Sequence, residues 1–182
     1  MDTGPPHRIL EIIMANTAIP REEVHAYAEA CSDEGEAFNP TATRLVKEQR
    51  RVSRFFEQNM GSMDPMAAQV ALYMLSVTLR IFERAGGRMK KVNGASLSAA
   101  SAKVNAQLES IFPANDGFSE RAKAADRAQP HILDEVLWAL YEREDDKKEG
   151  EVDLDPTQSA MVYLLLWTAV EALDANWAGP PA

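Results

Sequence analysis

One cysteine, Cys31, stands among 182 residues. A disulfide framework within the chain is therefore excluded, and a reducing, cytoplasmic setting is expected. The opening residues, with Pro5, Pro6, His7 and Arg8, lack the basic start and apolar stretch of a secretion signal. A membrane span needs roughly 20 consecutive apolar residues. Two charge-free runs, residues 65–79 and 156–170, come nearest. As helix each reaches about 22 Å, against a hydrocarbon core of about 30 Å. Gln69, Ser76, Gln158 and Ser159 dilute them further, so no membrane association is expected.

Other absences bear on fold and chemistry. No stretch sustains a period-two alternation, and the β-branched residues are scattered, so strands are not expected. There is no Gly-x-x-x-x-Gly-Lys phosphate loop and no Gly-x-Ser-x-Gly elbow. Three histidines, His7, His25 and His131, do not by themselves make a catalytic triad. Cys31 falls on an apolar helix face, where a thiol is inert packing. The motifs thus point to no enzyme and imply no cofactor.

What is present is helical. A chain of this length suits one domain and can bury roughly 70% of its unfolded surface without a metal or disulfide. Each charge-free run follows an Asp-Pro pair, Asp64-Pro65 and Asp155-Pro156, and closes on a charge, Arg80 or Glu171. A helix apolar on nearly all sides must be surrounded. The expected fold is therefore all-α, a single-domain bundle of six or seven helices around two central apolar helices, 64–86 and 155–177. The domain covers 1–182, with short flexible tails at 1–5 and 178–182. Arg80 and Glu171 are read as the points where the central helices emerge into water.

Around the two runs, the sequence marks further helices starting at Pro6, Pro20, Asn39-Pro40, Ser96, Ser119 and near Pro130. Asn39 is expected as an N-cap for one continuous helix ending at Gly61, and Ser96 as the cap of another reaching Phe112. A basic, glycine-containing loop is expected over 87–95, and a solvated acidic loop over 142–155. The helices before the two runs share a pattern, Val52, Phe55, Phe56 and Glu57 against Leu137, Leu140, Tyr141 and Glu142. This suggests a repeat of helical hairpins, 40–86 and 130–177, although short patterns of this kind recur freely. Trp138 and Trp167 are expected in the core, and Trp177 in part exposed.

Net charge is −9, unevenly spread. Residues 40–91 hold ten of the 19 Lys and Arg but four of the 28 acids, leaving this stretch at +6 and the rest at −15. Arg44, Lys47, Arg51 and Arg54, with Arg50 beside them, form a basic stripe and are the candidate partner-binding residues. A helix-turn-helix reading fails because about nine residues separate this helix from the one before it, where the motif wants a turn of 3–4. The candidate metal ligands are Glu22, His25 and Glu29 on one helix with His131, Asp134 and Glu135 on another, since Glu-x-x-His spacing puts two ligands on one face. Neither charge-free run offers a carboxylate in its middle, which argues against such a site, and no metal is expected.

These observations favour a non-enzymatic cytosolic interaction or regulatory protein whose partner is another protein or a second copy in a homodimer. The alternative is a bundle that binds a small ligand or a metal. Nucleic-acid binding through residues 44–54 ranks third, because the rest of the chain is acidic.

Overall fold

A computed structural model describes residues 16–143 and 154–181. The helix expected from Pro6, the tail 1–5 and most of the acidic segment 142–155 lie outside the described residues. Within them the chain folds as an all-α bundle. Helices α1 (Arg21–Glu34), α2 (Asn39–Glu48), α3 (Arg50–Met60) and α4 (Pro65–Ala85) come first. Strand β1 (Arg88–Met89) precedes α5 (Gly94–Asn105), α6 (Leu108–Ile111), α7 (Phe118–Lys123) and α8 (Pro130–Leu137). A π-helical turn (Trp138–Glu142) extends α8, and α9 (Pro156–Ala175) and β2 (Trp177–Ala178) close the chain.

Both Asp-Pro pairs start helices as the sequence predicts. The Asp64 carboxylate accepts from the Met66 amide at 2.9 Å, and that of Asp155 from the Gln158 amide at 2.9 Å. Each satisfies one of the amides left without an intrahelical partner, and proline fills the first helical position, where no amide is needed. The two starts are joined, because the Gln158 side-chain oxygen accepts from the Asp64 amide at 3.0 Å. The far ends are joined as well. The Trp177 indole donates to the Gly86 carbonyl at 2.9 Å and packs edge-on against Phe82. The two central helices therefore lie side by side and run in the same direction. α1 and α2 pack on α4, while α5 and α8 pack on α9.

The two are not equally enclosed. On α9 the residues from Val162 to Leu173 are nearly all buried, Leu166, Trp167 and Val170 completely. On α4 an edge stays open to solvent at Met66, Leu72 and Tyr73. By length and composition α4 could cross a membrane, but no arrangement of several such helices is present among the described residues, and α4 packs into the bundle.

Several expectations are corrected. The helix predicted from Asn39 to Gly61 is two helices. The backbone breaks at Gln49 (φ −113°, ψ 62°), whose buried side chain bonds to the Lys90 carbonyl and the Val92 amide. Asn39 caps nothing, because a 3-10 turn (Gly35–Phe38) runs directly into α2. Asn93, not Ser96, caps α5, accepting from the Ser96 amide at 2.8 Å. These breaks, with another after Asn105, bring the α-helices among the described residues to nine, several of them short.

Glu171 does not mark an exit to water. It is buried and accepts from the Trp167 indole, the Ala128 amide and the Lys103 ammonium. Arg80 pairs with Glu83 instead. Trp167 is buried as expected, but the other two reverse: Trp177 is buried and Trp138 is in part exposed.

A pair of two-residue strands, β1 and β2, is present where none was expected. Two residues are too few for any alternation to show. Gly87 (φ 70°) permits their contact, since a Cβ there would collide with the Ala178 carbonyl. Ala178, expected in a loose tail, is thereby held, and the Gly179 amide donates to the Asn16 side chain at 3.2 Å. The two segments of the suggested repeat also differ, one α-helical and one π-helical.

A cavity between three helices as the candidate functional site

Three helix faces meet around one cavity of about 490 Å³. α1 presents His25, Ala28, Glu29, Ser32 and Asp33, and α4 presents Tyr73, Met74, Val77, Thr78 and Ile81. α8 and its π-helical turn present Ile132, Glu135, Val136, Trp138 and Ala139. On each helix these positions recur at three and four residues, the spacing of a single helical face. The floor is apolar, from α4 and α8. The polar lining is mostly acidic, Glu29, Asp33 and Glu135 together with His25 and Arg143.

His25 lies between two carboxylates. Its Nδ1 is 3.0 Å from Glu135 Oε1, and its Nε2 is 3.3 Å from Glu29 Oε1. The hydrogen bond to Glu135 raises the imidazole above its usual value, and the charges of Glu135 and Glu29 add to the rise. Partial burial and Arg21 oppose it without cancelling it. The Glu135 side chain is only 12% exposed, which fixes one end of the pair. Trp138 supports the ring edge-on, with centroids 5.8 Å apart.

The π-helical turn is part of this geometry. The Arg143 amide donates to the Trp138 carbonyl at 2.9 Å, a bond spanning five residues rather than four. That extra residue places Arg143 one turn above Trp138, and both line the cavity. Wide turns of this kind are frequent at functional sites.

Of the six candidate metal ligands, the structure brings three together: His25, Glu29 and Glu135. Glu22 remains in the exposed first turn of α1. Asp134 binds Arg127 at 2.8 Å and Arg21 at 3.5 Å. His131 points elsewhere, its Nδ1 buried without a partner. Glu135 and Glu29 also hold opposite nitrogens of His25, so the three share no common point for an ion. Among the described residues no group of His, Cys, Asp or Glu is arranged to hold a metal. Burial pushes the Cys31 thiol up, as its apolar position predicts, and a protonated thiol is a poor nucleophile.

The basic stripe is divided by the break at Gln49. Arg44 is engaged, 2.9 Å from Glu83 and 3.3 Å from Glu48. Lys47, Arg50, Arg51 and Arg54 are exposed. Sequence reasoning found His25, Glu29 and Glu135 but sought a metal between them. It missed Tyr73, Val77, Ile81 and Arg143. The α4 residues carry no signal beyond apolarity, and only the tertiary contacts show that this part of the helix borders a cavity.

No family model, curated protein or solved structure matches this chain.

Proposed function

We propose that this domain is a non-enzymatic, cytosolic binding protein for a small, largely apolar molecule with an amine or other cationic head. The observation that carries this reading is the cavity between α1, α4 and α8. Its volume of about 490 Å³ suits a small organic ligand. Its floor of Val77, Ile81, Ile132 and Val136 suits a hydrocarbon body. Three carboxylates, Glu29, Asp33 and Glu135, outnumber the two basic groups, His25 and Arg143, and this acidic balance, with Trp138 beside it, suits a positive head that competes with His25 for Glu135 and Glu29. A protein-interaction role ranks first when only the sequence is considered, and the cavity supports the small-ligand alternative. A single buried thiol suits a reducing cytosol.

Calorimetric titration and thermal melting with octylamine, octanol and octanoate test the reading. Octylamine is expected to bind and raise the melting temperature, and octanoate to do neither. Ala28→Trp fills the cavity and is expected to abolish the effect. Glu135→Gln is expected to weaken amine binding about tenfold. Equal binding of octanoate and octylamine, or undiminished binding by a folded Ala28→Trp protein, would overturn the assignment.

A further inference from the structure

A second surface lies on different elements. Gln49, buried at the corner between α2 and α3, donates to the Lys90 carbonyl at 3.1 Å and accepts from the Val92 amide at 2.9 Å. These two bonds hold the strand segment after α4 against the corner. Two basic groups distant in sequence thus become one surface: Lys47, Arg50, Arg51 and Arg54 from the helices, Arg88, Lys90 and Lys91 from the segment. All seven are exposed. The Arg51 guanidinium reaches the start of α5, within 3.0 Å of where a Cβ on Gly94 would sit.

Neutralisation from within is largely spent. Residues 40–91 contain four acids, Glu48, Glu57, Asp64 and Glu83. Glu48 and Glu83 bind Arg44, and Asp64 caps α4. Only Glu57 remains, and among the described residues none of the seven cations forms an ion pair. Arg50 and Arg51 also occupy the first turn of α3, which contains no acid. Acids, not bases, stabilise that end of a helix. Helix stability therefore does not account for the arrangement.

We infer that this surface binds a short acidic segment of a partner protein. Two features favour carboxylates on a peptide over a nucleic acid. Of the aromatic side chains next to these cations, Phe56 is buried and Phe55 packs edge-on against it and the core, so neither offers an open face on which a base could stack. The remainder of the chain carries −15, so a long polyanion running off the patch meets repulsion, whereas a short peptide stays within it. Four of the seven cations are arginines, which pair with carboxylates in two parallel hydrogen bonds.

Fluorescence anisotropy with labelled deca-glutamate measures this directly, alongside a single-stranded DNA and a duplex of matched charge. Deca-glutamate is expected to bind more tightly than either DNA and to weaken steeply with salt. Arg50→Glu with Arg51→Glu, and separately Lys90→Glu with Lys91→Glu, are expected to weaken binding at least about tenfold with unchanged melting temperature. Gln49→Ala leaves the charge intact but frees the segment, and is expected to weaken binding several-fold. DNA binding as tightly as deca-glutamate, absence of salt-sensitive peptide binding, or indifference of either charge reversal would each sink the inference. None of these outcomes depends on the cavity, since its residues lie on other faces.

Discussion

His25 shows how one side chain takes its properties from two different helices. Glu29 lies one turn away on α1, and that pairing is set by local spacing. Glu135 is 110 positions away in sequence, and it dominates the rise in the imidazole's pKa. The sign of the consequence follows. A histidine raised in the folded state contributes stability that is fully present below its unfolded value of about 6.5 and is lost as pH rises through the folded value. Melting temperature measured from about pH 5.5 to about pH 8 should therefore fall more in the native protein than in His25→Gln. A difference between the two that grows in favour of the native protein as pH rises would show that the Glu135 contact does not hold the proton. Glu171 makes the same point about context. It closes a charge-free run in sequence and reads as an exit to solvent, yet donors from α5, from α9 itself and from the loop before α8 make it a buried acceptor.

At the scale of the element, the two Asp-Pro starts behave as their residue types require. An Asp before proline has extended backbone, and its side chain is free to accept an amide of the first turn. Asp64→Ala and Asp155→Ala should each cost about 1 kcal/mol in chemical denaturation. Asp64 offers a further check: its own amide bonds to Gln158, so Gln158→Ala should destabilise although it lies in another helix. Helix interiors carry no comparable local mark. The pattern from Asn39 to Gly61 continues unbroken through Gln49, a residue with ordinary helix propensity. The break arises because the Gln49 side chain satisfies two backbone groups of a segment 41 and 43 residues away. A buried glutamine with both ends bonded offsets the helical hydrogen bonding given up at the break.

For the whole molecule, the question is which apolar helix the bundle is built around. Both are charge-free for fifteen residues, so composition does not separate them. Packing does. Each packs against four helices, α9 against α3, α4, α5 and α8, and α4 against α1, α2, α3 and α9, but α9 buries nearly every residue from Val162 to Leu173 whereas α4 keeps Leu72 37% exposed. Leu166→Ala should therefore cost about 2–5 kcal/mol, the range for a fully buried leucine, while Leu72→Ala should stay within about 1 kcal/mol. Equal losses in the two variants would mean that the helices are equally central. The same asymmetry positions the candidate site, since the cavity opens where α4 meets α1 and α8 and not around α9.

The all-α class, the two apolar helices, their aspartate starts and the segregation of charge were determined by the sequence itself. Each depends on neighbours within a few turns: periodicity, capping and the absence of alternation. The parallel pairing of α4 and α9, the break at Gln49, the burial of Glu171 and Trp177, and the meeting of His25 with Glu135 were decided only by the tertiary structure. Each requires groups distant in the chain to satisfy one another's hydrogen bonds or exclude water together, and short-range patterns contain no record of which distant group that will be.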